Sequence, residues 1–293
     1  MTHMDALFDA PGPKGRARLA VINVIAFALI AGIFIWVVWS LVAKGELAPA
    51  AWAPFADPEV WTEYLIPGLL ATLQAAAIAI VTSNILGLAL GLGRLSALGP
   101  VRWVCGIIVE FFRAVPVLVM MIFFYFSLSY LANTTGAIDA EQAPFIGVVL
   151  GLTLYNGTVI AELVRSGVHN LPKGQREAGL AVGFTRGQCL RFIELPQALV
   201  AMMPAMVSQL VVILKDTALG YIVVYPELLR QAKLVGTSRG NLMASLLVAA
   251  ALFITVNTLL GLVADQLSRR LSRRTSTTSD ADPVDPAVLV EGD

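Results

Sequence analysis

Residues 175–198 read QREAGLAVGFTRGQCLRFIELPQA and lie between two long apolar runs. Arg176, Glu177, Arg186, Arg191 and Glu194 make the stretch too polar to cross a bilayer, yet it is patterned. Thr185 and Gln188 have the spacing of a capping box, in which each side chain satisfies a backbone N–H at a helix start. Leu190 and Ile193, three residues apart, share a face of the helix so begun. Gly183 stands just before, where a left-handed residue ends a helix. Pro196 suits the first turn of the next helix, where its missing N–H costs nothing. The expectation is a helix over about 174–182, a glycine turn, and a second short helix capped by Thr185.

The rest of the chain says what surrounds it. Of 293 residues, 57% are hydrophobic and 14% charged, against about 25% charged in soluble domains. Mean hydropathy is +0.78. This is the composition of an integral membrane protein, expected to be all-α with six transmembrane helices, at roughly 19–43, 65–93, 104–131, 144–167, 197–224 and 242–268. The short alternating segments of a membrane barrel are absent from the sequence. The first run exceeds a signal-peptide core and reads as a retained span. Within the fourth run Asn156 and Gly157 read as an interruption, as do Lys215, Asp216 and Thr217 within the fifth. Pro116 reads as a kink in the third.

Lys and Arg flanking the runs set orientation. Lys14, Arg16, Arg18, Arg94, Arg102, Arg165, Lys173, Arg176, Arg186, Arg191, Arg269, Arg270, Arg273 and Arg274 fall on one side. Only Lys44, Arg230, Lys233 and Arg239 fall on the other, which also holds Glu46, Asp57, Glu59, Glu63, Asp139 and Glu141. Both termini and the 175–198 stretch are therefore expected in the cytoplasm of a multi-pass cell-membrane protein. The end of the chain, Ser/Thr-rich and then acidic, reads as a disordered tail. The domains expected are 1–64 (N-terminus, extra span and outer loop), 65–270 (the transmembrane domain, with a loop at 169–196) and 271–293 (the tail).

Several classes of function find no support. No basic patch stands apart from the membrane flanks, so no nucleic-acid partner is expected. Cys105 and Cys189 match no metal or redox spacing, and His3 and His169 build no metal site alone. No nucleophile–base set stands out, so the chain is not expected to be an enzyme. From spacing alone, the 175–198 stretch is either an amphipathic loop resting on headgroups or a docking device.

The segment EAGLAVGFTRGQCLRFIELP resembles the EAA motif of ABC-importer permeases: E-A-A, three residues, G, nine residues, I, one residue, L-P. Glu177, Ala178, Gly183, Ile193, Leu195 and Pro196 match. Gly179 departs, standing where alanine is usual, and glycine inside a helix costs about 0.5–1 kcal/mol relative to alanine. The segments VEFFRAVPVLVMMIFFYF (109–126), AELVRSGVHNLPKGQREA (161–178) and LKDTALGYIVVYPELLRQA (214–232) resemble the polar-amino-acid permeases of the histidine/glutamine/glutamate branch, with Ala218 in place of a common serine. The N-terminal opening and extra first span look most like actinobacterial glutamate-uptake permeases.

The resemblance implies a type I ABC-importer permease core whose coupling helices dock on a cytoplasmic ATPase dimer. It also implies a second permease subunit, identical or related, and an extracytoplasmic solute-binding protein. The chain has no G-x-x-x-x-G-K-[ST] loop, so no cofactor is expected in it; ATP and Mg are expected on the partner ATPase. Arg176, Glu177 and Arg191 are expected as polar docking contacts, with Ala178, Gly179 and Gly183 supplying close packing and the turn. A secondary transporter or channel needing no ATPase is the alternative, which inverted repeats would favour; none is seen.

Ionisable groups at membrane depth are candidates for a substrate pathway. Glu110, Arg113, Glu162, Lys215 and Asp216 qualify, and Asn156 and Thr217 join them as polar residues at the two interruptions. Glu110 and Arg113, three apart, are expected to pair with each other. Both signs of charge suit an amino acid, which brings an ammonium and a carboxylate. The other reading is that these groups satisfy one another structurally or reach the interface.

Overall fold

The computed structural model describes residues 12–276, which form helices throughout. They are α1 (Pro13–Ala43), α2 (Pro49–Trp52), α3 (Ile66–Arg94), α4 (Gly99–Ala114), α5 (Val117–Thr135), α6 (Ala143–His169), α7 (Lys173–Ala181), α8 (Arg186–Cys189), α9 (Leu195–Asp216), α10 (Leu228–Arg239) and α11 (Leu242–Ser276). Among the described residues six helical stretches are long and apolar enough to cross a membrane: Lys14–Ala43, Val60–Arg94, Val117–Thr135, Ala140–His169, Arg186–Val223 and Leu242–Gln266. The first carries no buried residue. The tail reading falls mostly on residues 277–293, outside the described residues; α11 itself runs to Ser276.

Three expectations about the spans are corrected. The third run is not one kinked helix. Val115 and Pro116 are extended, at ψ 125 and 137, and separate α4 from α5. A residue before proline is pushed out of the helical region, so the break falls there. The fourth span is not interrupted: α6 passes through Asn156 and Gly157 without a break. In the fifth, α-helix ends at Asp216, but Thr217–Val223 continues as a 3₁₀ helix, so the segment tightens rather than unwinds.

α6 is the hub, packed against α3, α5 and α9. Small residues let it approach closely, as lipid-embedded helices require, since packing rather than water exclusion must hold them together. A Cβ at Gly87 of α3 would lie 2.5 Å from Cγ2 of Ile160, and one at Gly151 would lie 2.7 Å from Cγ of Met121 on α5. The main core, with Ala75, Ala79, Met121, Val148, Leu152 and Ile213, sits where these helices meet. A second core, with Val60, Leu65, Leu228, Ala232, Val235 and Ala249, holds α10 against α3 and α11. Leu228–Arg239 is thus a helix packed on two sides. Glu227 caps it, accepting from the backbone N–H groups of Leu229 (2.8 Å) and Arg230 (2.7 Å).

Candidate functional site

The 175–198 stretch forms a bent arm whose corner is built from local signals. Gly183 is left-handed, at φ 92. Its N–H donates to Leu180 O (3.1 Å) and that of Phe184 to Gly179 O (3.0 Å), the bond pair of a Schellman motif closing α7. Directly after it, Thr185 Oγ1 accepts from Gln188 N (3.3 Å), while Gln188 Oε1 accepts from Thr185 N (2.8 Å). A helix stop and a helix start meet back to back, so the corner is fixed and not loose. The second helix, however, is not a separate short piece. α8 passes through a π-helical turn (Leu190–Glu194) straight into α9. From Arg186 to Val223 the chain is one continuous helical rod, whose end is the arm.

Contacts fasten α7 to the base of that rod. Arg176 Nε donates to Glu194 Oε1 at 2.7 Å, and the Glu194 side chain is 6% exposed. Gly179 is buried; a Cβ there would lie 2.6 Å from Ile193 Cδ1 and 2.8 Å from Cys189 Sγ. The departure from alanine at 179 thus has a local reason: larger neighbours fill the space. Gln197 Nε2 bonds Gln175 Oε1 (3.3 Å) and Ile193 O (2.9 Å).

The nominated residues therefore divide. Arg176, Gly179, Gly183, Ile193 and Leu195 build the arm, with Ile193 and Leu195 half-buried. Glu177, Ala178, Arg191 and Pro196 are exposed. Arg191 stacks its guanidinium over the Phe192 ring, 5.4 Å from the centroid. Beside Ala178, the side chains of Leu180, Val182 and Phe184 are also exposed, Val182 by 76%. The arm thus presents an apolar knuckle with Glu177 at its edge. Glu194 and Cys189 as internal partners were not anticipated; no short-range signal marks contacts 18 and 13 residues away.

The polar residues of the spans fall into two groups. Glu110 and Arg113 do not pair with each other. Arg94 bridges Glu110 (3.2 Å) and Glu162 (2.7 Å), Arg165 holds Glu162 (2.5 Å), and Arg113 lies 3.9 Å from it. Three helices, α3, α4 and α6, are laced by this network at the arm's side of the molecule. Arg94 and Arg165 were not among the anticipated residues; only the Glu162–Arg165 pair, at i and i+3, was locally readable.

The second group lies along α9. Asn156 is fully buried and satisfied: its amide donates to Leu152 O (2.9 Å), and its oxygen accepts from Gln209 Nε2 of α9 (2.6 Å). Thr217 is buried and donates to Leu214 O (2.6 Å). Lys215 is exposed and Asp216 half-buried. Lys215 borders a groove between α9 and α11 with Val211, Ala218, Phe253 and Asn257. The Asn257 Oδ1 in that groove is buried without a hydrogen-bond partner among the described residues.

On the far side, Glu227 is buried, and burial pushes its carboxyl up to about 7 against the pull of two backbone N–H groups and Arg230. Arg239 pairs there with Asp57 (3.4 Å) and Glu59 (3.8 Å).

Comparisons with known proteins agree with this architecture. Residues 83–273 match the family described as binding-protein-dependent transport system inner membrane component. The chain is 42% identical over 231 residues to the glutamate transport system permease protein GluD of Corynebacterium glutamicum, covering 79% of this chain and 83% of that one. It is 33% identical to the glutamine transport system permease protein GlnP of Escherichia coli K12, covering 72% and 92%. Among solved structures, an amino acid ABC transporter crystallised with histidines is similar at a TM-score of 0.63 and 25% identity, covering 72% of this chain and 95% of that one. The inward-facing MetNI methionine ABC transporter is similar in fold, at a TM-score of 0.59 and 22% identity, covering 73% and 98%. The chain belongs to the family of inner membrane components of binding-protein-dependent transport systems.

Proposed function

We propose that the chain is the permease of an ATP-driven importer whose substrate is glutamate, moved by a separate ATPase that grips the 175–198 arm. The observation that carries this reading is the continuity of α8, the π turn and α9 behind a rigid exposed knuckle. A force applied at Ala178, Val182 and Phe184 passes through the Arg176–Glu194 pair into a rod that crosses the membrane. Closing and opening of an ATPase dimer then biases two packings of α9 against α3 and α6. Glu177 and Arg191 are the polar docking contacts, and Gly183 holds the corner. ATP and Mg are bound by the ATPase.

The substrate assignment rests on the similarity to GluD. A second permease subunit, identical or related, completes the pathway, and an extracytoplasmic binding protein delivers the amino acid. Both termini and the arm are cytoplasmic, in keeping with the distribution of Lys and Arg. Lys215, Asp216, Thr217 and Asn156 border the pathway, where the Lys215 ammonium suits a substrate carboxylate. Glu110, Arg113 and Glu162, held in their network, brace the helix ends around it.

The test is reconstitution in liposomes with a candidate ATPase, a second permease and a binding protein, scored by uptake of labelled glutamate, glutamine, aspartate and arginine. ATP-dependent glutamate uptake is expected. Uptake that proceeds without any ATPase would overturn the reading, and preference for another amino acid would overturn the substrate.

A further inference from the structure

The break at Val115–Pro116 leaves α4 as a separate helix with an outward face of its own. Sixteen residues rise about 24 Å, short of the roughly 30 Å hydrocarbon core, and α4 is strongly two-faced. Val109, with Cys105 and Ile108, packs on Leu90 and Ala161. Trp103, Ile107 and Phe111 are exposed, Trp103 by 69%. A helix of this kind lies along an interface with its apolar side in the acyl region.

Beside it lie two adjoining clefts that share lining residues and together form a trough. One part, a cleft of about 600 Å³, is lined by Arg94, Arg102, His169, Arg176, Arg186 and Glu194 among others. The other, of about 920 Å³, shares Arg94, Arg102 and His169 and is walled by Trp103, Ile107 and Phe111. Its positive charge is in surplus. Arg94 is matched by Glu162 and Glu110, and Arg176 by Glu194. Among the described residues Arg102 donates to Ser96 O (3.3 Å), and neither Arg102 nor Arg186 forms an ion pair.

We infer that this trough is a binding site for an anionic phospholipid of the leaflet on the arm's side. The phosphate sits between Arg102 and Arg186, and an acyl chain lies along Trp103, Ile107 and Phe111. A free phosphate needs the cations but not the apolar wall; a neutral lipid needs the wall but not the cations. Basic pockets beside membrane helices hold anionic headgroups by this combination. Arg102 stands on α4 and Arg186 on the arm, so one headgroup bridges the two and steadies the arm's resting position.

The experiment uses the full chain purified from nanodiscs of equal phosphatidylglycerol and phosphatidylcholine, with retained lipid counted by native mass spectrometry. Preferential retention of phosphatidylglycerol is expected. Arg102→Ala with Arg186→Ala weakens it about 30-fold, whereas Arg102→Lys with Arg186→Lys stays within about threefold. Ile107→Asn, which keeps every charge, also lowers retention, so a misfolded double variant does not leave the idea untested. Equal retention of the two lipids, indifference to both the charge and the wall substitutions, or displacement of the lipid by inorganic phosphate would each overturn the site.

Discussion

Arg176 and Glu194 meet at 2.7 Å across the inner side of the arm, joining α7 to the foot of α9. The carboxylate is buried and the guanidinium about half exposed. Removing Arg176 strands a buried charge, whereas removing both charges does not. Arg176→Ala should destabilise the arm by about 1–2 kcal/mol, less than for a fully buried pair because water reaches the arginine. Glu194→Gln in the same chain should recover part of the loss. ATP hydrolysis by the assembled transporter, stimulated by binding protein, measures it. Equal defects in the single and double variants would show that the pair does not transmit.

Gly179 offers a sharper steric test. Alanine there gains about 0.5–1 kcal/mol of helix propensity but forces its Cβ against Ile193 Cδ1 and Cys189 Sγ. Overpacking costs about 1–3 kcal/mol, so Gly179→Ala should be a net loss of about 1 kcal/mol. Ile193→Val removes the clashing methyl and should restore thermal stability when combined with it. If Gly179→Ala alone raises the melting temperature, the packing argument fails.

Gly183 has open space where a Cβ would go, and its strain is purely conformational. At φ 92 a β-branched side chain is disfavoured by about 1–2 kcal/mol. Gly183→Val should insert normally and lose most coupled uptake; Gly183→Asn, which tolerates left-handed backbone, should keep most of it. Normal uptake by the valine variant would remove the rigid corner from the account.

Much of the arm was legible because its signals are local. Gly183, and Thr185 with Gln188, fix a stop and a start within a few residues. The break at Val115–Pro116 was missed because apolar residues flank it on both sides, and a hydropathy run passes over a proline. Glu110 and Arg113 inside that run were the available hint that α4 is a separate helix. Asn156, beside Gly157, reads as an interruption, and a buried amide is costly when unpaired; Gln209, 53 residues on, supplies a partner for it inside an intact α6. The Glu162 network likewise depends on helices brought together by packing, which spacing within one helix does not encode.

Glu227 makes the side away from the arm pH-sensitive. Its folded value, about 7, lies above the ordinary 4.5. The folded state therefore holds this proton more tightly, and the stability it contributes is complete below 4.5 and lost as pH rises to about 7. Thermal unfolding in detergent should show a melting temperature falling across that window. Glu227→Gln, which cannot ionise, should flatten the slope. An unchanged slope would assign the pH dependence elsewhere.

The claim that the arm is a handle for a separate motor is tested most directly by a photo-cross-linker at Val182, the most exposed apolar residue of the knuckle. In native membranes containing the assembled transporter, irradiation should join the chain to its ATPase, with the yield changing when ATP is added. A lipid adduct at Val182 with no ATPase adduct would contradict the account and make the arm an amphipathic loop resting on headgroups.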